Sequence, residues 1–288
     1  MKFVDKNHEA EANAIITPYL HYALNQPWYG NDLKFGRESL YERMRGYPPN
    51  SPNEAKCRSI LLDRVLLPEQ NNRCCYCMRR IDDHSDDASI EHIIPKNVDT
   101  ILGMMHYFNQ YLPNLNSRKI CLTDTFVSSR VVIDANSPFP HLVAYHNFAA
   151  ACRKCNSSRG HEKIEVLFLH PNIHNEIEYN SHTGEAFWAF DPVYRPTARP
   201  EDIPTLEILK LNRPLYKAIR ATWFQAKREG INPTTLTTEQ DKSDLVYKAA
   251  GAAIDNDPKF DDKDFRGFMD LTKAANWSIF LKFDYFGR

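Results

Sequence analysis

Apolar residues recur at helical intervals over Glu9–Leu24, and Gln26-Pro27 ends that run. The first seventy residues read mostly helical, and Pro48, Pro49 and Pro52 mark a turn after Leu40–Arg45. Asn53 then stands at an N-cap position, opening a helix through Ile60, Leu61, Leu62, Val65 and Leu66 to Pro68. A polar loop containing Asp82, Asp83, Asp86 and Asp87 leads into a strand beginning near Ser89. Between Asn97 and Tyr145 the pattern is weaker, with a helix expected at Ile101–Leu112 and a strand edge at Val131–Ile133. Phe148–Lys154 reads as the start of a helix.

Val166–His170 reads as a strand closed by Pro171. Glu176–Tyr179 and Glu185–Phe190 alternate apolar and polar residues around Ser181-His182-Thr183-Gly184, the signal of a hairpin. Pro192, Pro196, Pro200 and Pro204 punctuate a connector. Beyond it the period is helical over Leu206–Arg228, Thr238–Ile254 and Phe265–Phe280. The fold class expected is α+β and mostly helical. Three regions are expected: a helical one over 1–70, a central one over 71–192 with an insertion at about 97–145, and a helical one over 193–288.

A hydrophobic fraction of 42% and a charged fraction of 25% are those of an ordinary globular chain. No apolar run approaches the ~20 residues of a membrane helix, and the start MKFVDKNHEAEA lacks a signal peptide's apolar core. A cytoplasmic location without membrane contact is therefore expected, with the seven cysteines as thiols or metal ligands. Lys and Arg number 36 against 37 Asp and Glu, so any grip on nucleic acid needs clustered charge or a partner's help. Arg153, Lys154, Arg159 and Lys163 form one such cluster.

The strongest chemical signal is a pair of Cys-x-x-Cys knuckles, Cys74/Cys77 and Cys152/Cys155. Four thiolates on two tight turns make the donor set of a tetrahedral structural zinc. Cys57, Cys75 and Cys121 remain outside that set. Glu91-His92 follows the first knuckle, Asn147 precedes the second, and Asn156 follows it at once. An imidazole titrates near ~6.5, so His92 can act as general base at neutral pH if a neighbour fixes its tautomer. Asn147 can do that, or can hold the backbone around His92. Glu91 and Asn156 offer oxygen donors for Mg²⁺ or a similar ion, which would polarise a phosphate. Adjacent strand residues face opposite sides, so Glu91 and His92 need a bend or bulge to share a site. The plainer reading is a zinc ribbon that serves only as a fold staple.

These residues resemble the HNH endonuclease superfamily in its four-cysteine version: Cys74-x-x-Cys77, Glu91-His92-Ile93-Ile94-Pro95-Lys96, Asn147 and Cys152-x-x-Cys155-Asn156. The resemblance implies a ββα-metal finger with a structural zinc and a catalytic Mg²⁺ or Mn²⁺. It implies His92 as base, Asn147 as the middle Asn, and Glu91 and Asn156 as ion ligands. Arg159 would face phosphate from the finger helix, and His161 is a candidate substitute ligand. Asn116 and Asn136 are rivals for the middle position. The flanking chain resembles the nuclease subunits of Septu-type and retron-linked anti-phage defence systems. That implies a partner ATPase, consistent with the lack of a GxxxxGK[ST] loop here. The expected activity is cleavage of nucleic acid, DNA ahead of RNA. A zinc-stapled binding or scaffold module is the alternative.

Overall fold

The computed structural model describes residues 4–26, 28, 40–49, 54–81, 87–94, 119–121, 139–160, 177–188 and 209–287. Expectations at Ile101–Leu112, Val131–Ile133, Val166–His170 and the proline-punctuated connector lie outside them, as do Asn53, Asn116, Asn136, His161 and Lys163. The chain divides into two compact units, one formed by Phe3–Cys75 and Ile81–Pro171, the other by Tyr76–Arg80 and Asn172–Arg288 with the first two residues.

In the first unit, α1 (Glu9–Leu24) buries Ala12, Ile16, Tyr19, Leu20 and Ala23, the stripe that a 3.6-residue period places on one face. The short α2 (Leu40–Met44) buries Leu40, Tyr41 and Met44. The next helix is not regular. It starts as α3 (Cys57–Leu61), widens into a π turn at Leu62–Leu66 and closes as α4 (Leu67–Glu69). The wide turn lets Leu61, Leu62, Val65, Leu66 and Leu67 all be buried. It comes just before Pro68, whose ring and missing N–H disfavour an ordinary α turn.

Two strands and a helix form the centre of this unit. β1 (Ala88–His92) pairs antiparallel with a distant strand, Phe148–Cys152, from Ala88↔Cys152 to His92↔Phe148. Between them in sequence are β2 (Ile120–Cys121) and β3 (Phe139–Pro140), a short parallel pair. Phe148–Cys152 is therefore β4, and α5 (Arg153–Arg159) follows it at once. The sequence pattern predicts a helix beginning at Phe148, whereas the structure has a strand there. Three alanines in succession favour a helix locally, but all five residues are buried, and a paired strand satisfies their backbone. The free edge of β4 is closed by Gln70: its Oε1 accepts from Ala150 N at 2.7 Å and its Nε2 donates to Ala150 O at 2.7 Å. Cys75 N donates to the same carbonyl at 3.0 Å.

In the second unit, β5 (Ile177–Tyr179) and β6 (Ala186–Trp188) form the expected hairpin. Asn180 Oδ1 accepts from His182 N at 2.8 Å and Thr183 N at 3.0 Å, which shapes the turn. The central helix α6 (Pro214–Glu229) packs with α7 (Glu239–Asn256) and α8 (Asp262–Leu271). The single helix expected over Phe265–Phe280 is instead two, α8 and α9 (Ala274–Leu281). Lys273 is extended between them, at ψ 135°, so the chain turns before Trp277 and Phe280 enter the core. The aromatic tail is core: Trp277, Phe280, Phe283 and Phe286 are buried, and Trp223 stacks on Phe280 at 4.8 Å while donating its indole N–H to Phe280 O at 2.9 Å. No helix among the described residues is long and apolar enough to cross a membrane.

Candidate functional site

The sulfurs of Cys74, Cys77, Cys152 and Cys155 all lie within 4.8 Å of one another, and all four residues are buried. Sulfurs on a tetrahedral zinc are about 3.8 Å apart, given Zn–S bonds of about 2.3 Å. A disulfide would need a far closer approach, and none is formed by these cysteines. The donor set fits a structural metal such as zinc. Local geometry contributes: Cys152 is the N-cap of α5, and its sulfur accepts from Cys155 N at 3.5 Å. Among the described residues no other group of three or more His, Cys, Asp or Glu converges in this way. Cys57 stays apart, its Sγ against Ile15 O at 3.4 Å, and burial pushes its thiol up to about 12.

His92 ends β1 and is buried. Its Nε2 lies 3.2 Å from Leu142 O, and its ring meets those of Tyr41 and Phe148 edge-on, at 4.4 and 5.0 Å. Asn147 is fully buried but does not hold the imidazole. Its Oδ1 accepts from Ile94 N at 2.6 Å, and its Nδ2 donates to His141 O at 2.6 Å and Ile94 O at 3.2 Å. Ile93 N donates to Asn147 O at 2.9 Å. Asn147 thus extends the β1–β4 ladder past His92 with its backbone and then its side chain. Of the two roles foreseen for Asn147, holding the backbone around His92 is the one this geometry serves.

Glu91 and Arg159 differ from the expectation drawn for them. The pairing from Ala88 to His92 is one-to-one, so no bulge turns Glu91 toward the imidazole. Instead the Glu91 carboxylate accepts from Arg159, whose guanidinium also donates to the carbonyls of His92 and, at 2.7 Å, Ile93. Arg159 was expected to face phosphate. With Arg220 it is among the largest fully buried side chains of the described residues, and a guanidinium so deeply placed needs these acceptors to offset its lost hydration. Asn156 is half-buried, with Nδ2 donating to Ser89 Oγ at 2.9 Å and Ile90 O at 3.2 Å. Of the expected phosphate cations, Arg153 and Lys154 are exposed at the start of α5.

A cavity of about 280 Å³ opens beside this group. It is lined by Ile90, Glu91, His92, Asn156, Arg159 and Gly160 from the strand and helix, and by Tyr41, Glu42, Arg45 and Arg58 from the N-terminal helices. Sequence reasoning brought Glu91, His92 and Asn156 together and missed Arg45 and Arg58. No local signal ties residues 41–58 to residues 90–92, since packing alone joins them. Burial pushes the Tyr41 phenol well above its usual range, so it remains protonated beside His92. Comparison with protein-family models, with curated proteins and with solved structures finds no match to this chain.

Proposed function

We propose that this protein is a metal-dependent endonuclease of the HNH type that hydrolyses phosphodiester bonds in nucleic acid, DNA ahead of RNA. The observation that carries this reading is the cavity lined by His92, Glu91 and Asn156, on a strand pair and helix that contribute Cys152 and Cys155 to the four-cysteine cluster. His92 is the general base. Nε2–H donates to Leu142 O at 3.2 Å, a contact that sets the tautomer in which Nδ1 is the basic ring nitrogen. The rings of Tyr41 and Phe148 hold the imidazole in place and restrict water on that side. Asn147 fixes the chain direction just after His92. A Mg²⁺ or Mn²⁺ ion, when bound, supplies charge that stabilises the phosphate oxygens. Glu91 and Asn156 are the donors for it, and Glu91 must first leave its pairing with Arg159. Zinc serves as the structural metal. The chain's resemblance to defence nucleases supports a partner ATPase, which co-purification from cells expressing both neighbours would test.

The experiment is His92→Ala, with plasmid DNA and structured RNA as substrates and Mg²⁺ or Mn²⁺ supplied. Loss of cutting with zinc content and folding kept supports the enzyme. The buried Glu91–Arg159 pair favours a second reading, a zinc-stapled nucleic-acid-binding or scaffold module without catalysis. Unchanged biological activity in the His92 variant selects that module.

A further inference from the structure

We propose that Arg58, with Arg45 at the rim, is the phosphate-binding element of the His92 cavity, so that the N-terminal helices rather than α5 grip the substrate backbone. The inference rests on the nuclease reading for the identity of the phosphate, a diester within a nucleic-acid strand.

The charges lining the cavity decide the matter. Three arginines and two glutamates line it: Arg45, Arg58 and Arg159, with Glu42 and Glu91. Arg159 pairs with Glu91 in a buried contact, and when Glu91 turns to an ion its guanidinium stays engaged by the carbonyls of His92 and Ile93. Arg45 reaches Glu42 at 3.5 Å from a side chain that is 65% exposed, so that pairing is screened and readily exchanged. Arg58 has no carboxylate partner among the described residues. Its guanidinium lies over the Tyr41 ring, 4.8 Å from the centroid, and the same ring meets His92 edge-on at 4.4 Å. A cation held against one aromatic face keeps its N–H edge available, and that planar fork matches two oxygens of a phosphate. An anion docked on Arg58 would therefore be held beside the imidazole that the nuclease reading makes the base. The exposed Arg153 and Lys154 belong to α5, and neither lines the cavity.

The test uses the full-length zinc-loaded chain carrying His92→Ala, so that a fluorescein-labelled DNA duplex or RNA strand is bound without being cut. Arg58→Gln in that background is expected to weaken binding about tenfold, the loss of one charge-assisted fork. It should also reduce the slope of log K against log salt by about 0.9 for the duplex, or about 0.7 for a single strand, one phosphate's counterions. Arg58→Lys should keep the slope and lose part of the affinity, because the charge stays and the fork goes. Zinc content and thermal midpoint identify any variant that fails to fold, and Arg58→Lys then carries the test. Competition by inorganic phosphate alone at low concentration would show a free-phosphate site and overturn the strand assignment. Affinity and slope unchanged in both variants would overturn the proposal. If the wild-type chain still cuts in that case, the nuclease reading survives. If Arg58→Gln loses binding while the wild-type chain cuts nothing, the phosphate site stands and the nuclease reading falls.

Discussion

The guanidinium of Arg159 in α5 closes on the carboxylate of Glu91 in β1, with both side chains 1% exposed. It also caps the carbonyls of His92 and Ile93, so one side chain ties the helix to the last two residues of the strand and the first residue beyond it. Removing one member of a buried pair leaves the other charge without compensation. Arg159→Met is expected to cost about 3–5 kcal/mol of stability, and the double variant with Glu91→Gln to recover part of that loss. Urea unfolding of the two singles and the double measures the coupling. A double variant no more stable than Arg159→Met would mean that the carbonyl contacts, not the carboxylate, carry the effect.

The four sulfurs form a donor set that fits a structural metal, and binding of such an ion would be part of the folding free energy. Cys152→Ser is expected to release the metal and to unfold the strand–helix junction, since Cys152 is both ligand and N-cap of α5. Metal content by mass spectrometry, followed by circular dichroism with and without chelator, checks this. Cys57→Ser should leave metal content unchanged, because Cys57 lies outside the cluster.

Asn147 satisfies both backbone polar groups of Ile94 and the carbonyl of His141 from a fully buried position. Asn147→Ala strands those groups. Each buried group left unsatisfied costs about 1–3 kcal/mol, so the variant should be strongly destabilised in thermal or urea unfolding. In an active enzyme it should also lower turnover more than binding, since His92 is the residue whose exit from β1 it fixes.

Acid should loosen the N-terminal helix. Burial depresses the His146 imidazole below its ordinary value, opposed in part by Glu9, whose carboxylate lies 3.4 Å from Nε2. Glu9 is also depressed: burial acts upward, but Lys119 and His146 together outweigh it. Both groups bind protons less readily when folded. Their contribution is present above the unfolded-state values and is lost as pH falls through the folded ones. For His146 the loss begins below about 6.5. His146→Gln is therefore expected to flatten the fall in thermal midpoint between neutral and mildly acid pH, while leaving the neutral value little changed.

Gly184 is required by space and by backbone. It adopts φ +70° in the hairpin turn, and a Cβ there would meet Lys217 O of α6 at 2.0 Å. Gly184→Ala is expected to separate hairpin from helix and expose Trp223 and Phe280, which share that unit's core. An increase in dye binding to apolar surface, with a lowered thermal midpoint, checks this. Arg220 should report the same event, because its Nε donates to Gly184 O at 2.6 Å.

Local pattern was enough to place α1, β1, the β5–β6 hairpin and α7, because periodicity, caps and turn residues act over a few positions. The spacing of four cysteines likewise announced a metal cluster, since soft thiolates on tight turns have few other uses. Phe148–Ala151 could not be read that way: alanine favours helix in isolation, and only burial on both faces and pairing with a strand nearly sixty residues away make it β4. The identity of Arg159's partner, the stapling role of Asn147, and the meeting of Tyr41, Arg45 and Arg58 with His92 belong to the tertiary structure alone. They depend on which charges lose water on folding and which distant surfaces close together, and neither quantity is written in the neighbourhood of any one residue.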